Sequence, residues 1–176
     1  MEPQQNPDRR SGIIMLVIAW MLVFGLVYWY FSGWEQRQFN PNSKAVVRQQ
    51  SGALVLQRNR AGHYVADGEI NGANVTFLVD TGASQVSLPL PVARKLGLKL
   101  GAAVTLDTAN GTAIGYLTQL ADVRLGPIEL HDVSAVVSDG MDEQTVLLGM
   151  SFLRRLEFTQ REERLILKQS AASAVR

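Results

Sequence analysis

The sequence predicts a mostly β domain with one or two short helices, about 120 residues in length, standing behind an N-terminal transmembrane helix. Three observations carry that prediction: a long uncharged apolar run near the start, a polar stretch after it, and then short β-type runs separated by turn residues. A length of 176 residues, 47% hydrophobic and 19% charged, allows one ordinary domain plus an appendage and excludes disorder as the main state. With 17 basic against 16 acidic side chains and no long Lys/Arg run, the chain lacks the electrostatic footprint of phosphate-backbone binding. No nucleic-acid partner is expected. The absence of cysteine excludes disulfide scaffolds, thiol nucleophiles, iron–sulfur clusters and Cys-type zinc sites.

A short tail, residues 1–12, leads into the apolar run. From Ile13 to Phe31 there is no charged or strongly polar group, and a helix that long extends roughly 28 Å against a bilayer core of about 30 Å. A core helix would show a polar stripe, and none is present. Arg9 and Arg10 resemble the basic start of a signal peptide. However, the run is long for that role, and Phe31-Ser32-Gly33-Trp34 is a poor cleavage site. An uncleaved anchor over 13–34 is therefore expected. Tyr28, Trp29, Tyr30 and Trp34 form an interfacial aromatic belt at its C-terminal end. Arg9 and Arg10 precede the span while Arg37, Lys44 and Arg48 follow it, so charge alone does not choose an orientation. Residues 35–50 are polar and contain Asn40-Pro41-Asn42-Ser43; they read as a coil tether of roughly 20–24 Å.

The β-type pattern occupies 51–169. Ala53 to Gln57 and His63 to Ile70 flank an Arg-Ala-Gly turn, and Asn71-Gly72 separates the latter run from Val75 to Val79, as in a tight hairpin. Val104 to Thr108 and Thr112 to Leu125 flank Ala109-Asn110-Gly111, a second hairpin signal. Ile128 to Val137 and Thr145 to Leu148 follow, and Glu157-Phe158 with Leu165 to Leu167 form a last pair. Pro91 opens a short helix through Leu96, stopped by Gly97, and Ser151 to Leu156 form another. Residues 170–176 read as a frayed tail.

Chemistry concentrates at Phe77-Leu78-Val79-Asp80-Thr81-Gly82-Ala83-Ser84, where a carboxylate ends a hydrophobic run and a hydroxyl residue and a glycine follow at once. Taken alone, Asp-Thr-Gly is as well explained by an ordinary turn. Context changes the balance. About 65 residues later Val146-Leu147-Leu148-Gly149 is another apolar run ending in glycine, with the Asn110-Gly111 hairpin lying between the two.

This ordered set resembles the retropepsin-like aspartic proteases, in particular the membrane-anchored single-domain forms of bacteria. The resemblance covers about residues 60–160, and the anchor matches the bacterial subgroup. It implies a retropepsin-like (acid protease) β-barrel in which Asp80 is the catalytic carboxylate and Thr81, Gly82, Ala83 and Ser84 shape its turn. It further implies that Asp107, Thr108, Ala109, Asn110, Gly111 and Thr112 form a flap and that Leu147, Leu148 and Gly149 form a supporting loop. Two positions depart from the retroviral pattern: Ser84 and Met150 stand where an Asp and an Arg commonly pair. Both partners are absent together, so no buried charge is orphaned, but substrate-backbone contacts and subsite preferences change. The flap tip lacks an aromatic residue, Tyr116 lying further along its second strand.

The residue types have an independent reason. Peptide hydrolysis without metal or side-chain nucleophile needs a water deprotonated on one side while the carbonyl oxygen is protonated on the other, and two carboxylates sharing one proton do both. Like charges in close approach hold such a pair singly ionised. Thr81 is expected to lock the turn by hydrogen bonding, and Gly82 to let backbone amides approach the carboxylate. Each chain has one such motif, since Asp67-Gly68 and Asp139-Gly140 lack the intervening Thr or Ser. The second carboxylate then comes from a second copy of Asp80, and a two-fold homodimer follows.

Nothing else competes. His63 and His131 are the only histidines, and no Gly-x-Ser-x-Gly, HExxH, Walker or Gly-x-Gly-x-x-Gly motif accompanies them. No metal or other cofactor is expected. The sequence therefore points to a homodimeric aspartic endopeptidase, hydrolysing protein or peptide substrates from a single-pass anchor. The bacterial resemblance implies an inner membrane with the domain on the periplasmic side. The alternative is a non-catalytic β-domain using the same cleft for peptide binding or dimerisation.

Overall fold

The computed structural model describes residues 7–43, 53–108, 111–141 and 144–169, and the chain divides into two units, Met1–Gln38 and Phe39–Arg176. Helix α1 spans Pro7–Phe39. Proline suits the first helical position, and the helix stops at Phe39 because Asn40 precedes Pro41 and is steered away from helical backbone. Within it Ser11–Trp34 is long and apolar enough to cross a membrane, with mean hydropathy 2.3. Its large side chains from Ile13 to Trp34 are exposed. At the aromatic end Phe31 packs edge-on against both Tyr30 and Trp34, with ring centroids 5.8 and 6.1 Å apart.

The second unit holds ten strands and two short helices: β1 (Ala53–Gln57), β2 (Val65–Ile70), β3 (Ala73–Val79), β4 (Val86–Pro89), α2 (Leu90–Lys95), β5 (Ala103–Thr108), β6 (Gly111–Leu125), β7 (Ile128–Ser138), β8 (Thr145–Leu148), α3 (Met150–Leu153), β9 (Leu156–Arg161) and β10 (Arg164–Gln169). Seven strands run in the order β2-β3-β8-β4-β7-β6-β5, and an additional β2–β6 pairing closes the first six into a barrel. Closure leaves β5 outside the ring as one arm of a hairpin with β6. The remaining strands form a separate sheet, β1-β10-β9.

Two parallel pairings place the site. Strand β3 runs parallel to β8 and β4 parallel to β7, while β4 and β8 meet at Ser87 and Leu147. Phe77, Leu88, Leu120, Val137, Val146, Leu148 and Phe152 are buried between these strands and α3. Their transfer from water supplies the main drive for closure, at about 1.5–3 kcal/mol for each large side chain. One face of the small sheet adds Leu54, Leu56, Leu165 and Leu167.

Several elements differ from the sequence expectation. Strand β4 was not anticipated: Val-Ser-Leu-Pro is short and ends in a residue that cannot donate a ladder hydrogen bond. Pro89 is tolerated because it ends the strand. Leu156, expected at the end of the last helix, instead begins β9 opposite Gln169. The coil expected over 35–50 starts as the last turn of α1, and Asn40 and Asn42 then bond to the β-domain. Of the tail expected over 1–12, residues 7–12 already belong to α1, while residues 1–6, 44–50 and the expected tail at 170–176 lie outside the described residues.

Candidate active site

Strand β3 carries Val79 to the barrel's end beside Leu148 of β8. The Val79 amide donates to the Tyr64 carbonyl at 2.9 Å, and the Asp80 amide donates to the Leu148 carbonyl at 3.2 Å. Strand β8 therefore holds Asp80 by its backbone, and Tyr64, just before β2, holds the residue before it. The chain then turns: the Ala83 amide donates to the Asp80 carbonyl at 3.3 Å, and the Gly82 amide donates to Asp80 Oδ1 at 2.8 Å. Among the described residues no further hydrogen bond reaches the carboxylate, and Asp80 is half-buried while Thr81, Gly82 and Ser84 are exposed. One oxygen is thus oriented by the turn. The other is left open to a reactant.

Thr81 is expected to bond this turn, and within the single chain the Gly82 amide is taken by Asp80 instead. Thr81 makes no hydrogen bond among the described residues; the Asp80 side chain takes the amide two residues on, as short acidic side chains do in turns. At Gly82 a Cβ would lie 3.2 Å from Asp80 Oδ1, so a side chain there would crowd the carboxylate.

The supporting loop is the tighter half. A Cβ on Gly149 would sit 2.2 Å from the Gln85 carbonyl oxygen and 2.7 Å from that of Ala83. Its backbone is ordinary extended chain, φ −88° and ψ −171°, so the requirement for glycine is one of space alone. That contact lets the Met150 amide reach the Ala83 carbonyl at 2.8 Å. Leu148 and Gly149 are buried and Leu147 half-buried.

Ser151 went unnoticed in the sequence. Its buried Oγ accepts from the Val86 amide at 2.9 Å and donates to the Ser134 carbonyl at 2.7 Å, tying the first residue of β4 to β7 beneath the turn. The only available signal was one polar residue inside the apolar run Met150-Ser151-Phe152-Leu153, since buried hydroxyls are almost always bonded.

The β5–β6 hairpin forms as expected, with Asp107 opposite Thr112 and Thr108 opposite Gly111. Thr108 Oγ1 donates to the Gly111 carbonyl at 2.6 Å, and Gly111 adopts φ +107°. Ala109 and Asn110, at the expected flap tip, lie outside the described residues. Ile114 and Tyr116 stand on one face of β6 with 65% and 39% of their surface exposed. No hydrogen bond joins the hairpin to the Asp80 turn among the described residues.

Neither Ser84 nor Met150 makes a side-chain hydrogen bond among the described residues. Arg155 does not take the missing arginine's place: its guanidinium donates to the carbonyls of His131 and Asp132, at 2.6 and 2.9 Å, where β7 bends. Asp67 is likewise committed elsewhere, accepting from Asn40 and Thr76. Both histidines are exposed. Among the described residues no group of three or more His, Asp or Glu side chains is placed to hold a metal ion.

Comparison with known proteins agrees with this geometry. The family model described as "gag-polyprotein putative aspartyl protease" matches residues 66–155. An uncharacterized protein from the cobV 5' region of a Sinorhizobium species is 32% identical over 163 residues, covering 85% of this chain and 70% of that protein. The uncharacterized protein RP867 of Rickettsia prowazekii is 34% identical over 109 residues, 60% of this chain and 46% of its own length. Among solved structures, a retropepsin-like aspartic protease from Rickettsia conorii superposes with a TM-score of 0.58 at 35% identity, over 67% of this chain and 100% of that one. The matched span runs from β2 past α3 and so includes the Asp80 turn, the hairpin and the Gly149 loop; the chain belongs to the retropepsin-like aspartic proteases, of the single-domain bacterial type.

Proposed function

We propose that the chain is a membrane-anchored, homodimeric aspartic endopeptidase whose catalytic pair is two copies of Asp80. The observation that carries this reading is the half-built site: one oriented carboxylate per chain, one of its oxygens free of hydrogen bonds, on a turn whose flanking residues are exposed. Two such turns meeting across a two-fold axis would put the carboxylates together and bring Thr81 against its own copy. One carboxylate, ionised, takes a proton from water as the oxygen adds to the scissile carbonyl carbon. The other, protonated, gives its proton to the carbonyl oxygen. Collapse of the tetrahedral species breaks the C–N bond, and the leaving nitrogen takes up a proton. The hairpin over Asp107–Thr112 closes on an extended protein or peptide substrate.

Helix α1 serves as the anchor, in keeping with its length and uniform apolarity. Confinement to a bilayer raises the effective concentration of protomers and favours the dimer. The bacterial relatives support an inner-membrane site with the domain on the periplasmic side. A reporter fused after Arg176 is expected to be active in a periplasm-dependent form and silent in a cytoplasm-dependent one; the reverse pattern would overturn the orientation.

Catalysis is tested with a diverse peptide library read by mass spectrometry. The wild-type chain is expected to cut, and Asp80→Asn to lose several orders of magnitude in rate with its fold kept. Excess Asp80→Asn chains mixed with wild type should poison activity through heterodimers. Retained cleavage by the folded variant would overturn the assignment of Asp80 as the catalytic carboxylate, and the absence of poisoning would mean that the second catalytic group lies within one chain.

A further inference from the structure

Three asparagine side chains join the segment after α1 to the β-domain. Asn42 presents its amide to β1 as a strand would: Oδ1 accepts from the Gln57 amide at 2.9 Å, and Nδ2 donates to the Gln57 carbonyl at 3.0 Å. The same Nδ2 donates to the Val65 carbonyl of β2 at 2.7 Å. Asn40, 4% exposed, donates to Asp67 Oδ1 at 2.8 Å and accepts from the Asn42 amide at 3.1 Å. Asn59, from the turn between β1 and β2, donates to the Phe39 carbonyl at 2.9 Å. The segment thus bridges strands of two different sheets, since β1 belongs to the small sheet and β2 to the barrel.

These contacts fall on the strip of chain that receives Asp80. The Val65 carbonyl is taken by Asn42, while the adjacent Tyr64 carbonyl receives the amide of Val79, the residue before Asp80. Asp67 Oδ1, held by Asn40, also accepts from Thr76 Oγ1 at 2.9 Å, across the pairing of β2 with β3. Residues 64–67 are therefore pinned on one side by the clasp, and they hold β3 on the other.

We propose that Asn40 and Asn42 are positioning residues for Asp80, and that the Asn40–Ser43 segment is a working part of the protease domain rather than a passive tether. This rests on the reading of Asp80 as catalytic. Two carboxylates and a water tolerate little misplacement, so loosening the start of β2 acts on the rate of the chemical step before it acts on fold or substrate binding.

The test uses the full-length chain in detergent micelles, as wild type, Asn42→Ala and Asn40→Ala, each checked for fold and dimer content. Asn42→Ala is expected to lower kcat about tenfold at unchanged KM, since the loss is one of alignment. Amide hydrogen exchange should quicken at Val79, Asp80 and Gly82 as well as in the clasp. Unchanged kcat in a folded dimer, or faster exchange confined to residues 40–43 and Gln57, would overturn the proposal. Should Asn42→Ala not fold, Asn40→Ala, which spares the Gln57 and Val65 bonds, is read by the same two outcomes. Exchange also separates the two readings: if the wild type cuts no peptide, the catalytic assignment fails, while protection at Val79 and Asp80 still decides the coupling.

Discussion

The Asp80 turn and the β5–β6 hairpin were both recognisable as turns in the sequence, yet they are built in opposite ways. The turn is fixed from below, with Gly149 pressed against the carbonyls of Ala83 and Gln85, and Ser151 bridging β4 to β7. The hairpin is held by its own ladder, and Asp107, Thr108, Gly111 and Thr112 are all exposed. Its cross-strand bonds are local, so opening it disrupts little else, whereas shifting the turn disturbs packing from β3 to α3. If the proposed function holds, the contrast separates a carboxylate fixed in advance from a hairpin that can move without disturbing it.

The largest challenge to that contrast is Gly149→Ala. A methyl group 2.2 Å from a backbone oxygen cannot be relieved by a side-chain rotation. The substitution should destabilise the domain by about 3 kcal/mol or more, lower its melting temperature by roughly 10 °C, and abolish cleavage. Calorimetry and a peptide assay check this; a variant that melts like wild type would mean the turn is not held from below.

Ser151→Ala probes the same support more gently. It leaves the buried Val86 amide without its acceptor, which costs about 1–3 kcal/mol. A fall of roughly 5 °C in melting temperature is expected, with kcat reduced more than KM is raised. An unchanged kcat would confine the residue to stability.

The smallest effect is expected at the hairpin. Gly111 sits at φ +107°, a backbone conformation that side chains rarely adopt, so Gly111→Ala should strain the hairpin by about 1 kcal/mol. Because the strain is local, the melting temperature should barely change while KM rises. If instead it falls as far as in Ser151→Ala, the hairpin is as integral as the turn, and the contrast fails.

The sequence reading went as far as local physics reaches. Uniform apolarity marked α1, since a surface helix of a soluble domain keeps a polar face. Asn71-Gly72 and Gly111 marked hairpins through their tolerance of unusual backbone, and Asp80-Thr81-Gly82 marked the candidate site by joining an apolar strand to a carboxylate. Strand β4 escaped because its four residues become a strand only when β7 and β8 flank them on either side. Ser151 escaped because the spacing of one hydroxyl in an apolar run says nothing about which amide it will meet.

Within the single chain, Thr81 adds no hydrogen bond to the turn among the described residues. The hydrogen bond that closes the turn comes from the Asp80 side chain, which accepts from the Gly82 amide. The same limit applied to 35–50, where polarity and proline read as a coil. There the partners of Asn40 and Asn42, namely Asp67, Gln57 and Val65, lie more than a dozen residues away in the chain. The sequence by itself determined the long apolar helix, the β class and the carboxylate turn that marks the family, because each depends on composition or on neighbours along the chain. Tertiary structure alone decided what holds Asp80 in place, because a hydrogen bond or close contact between distant segments exists only once the fold has brought them together.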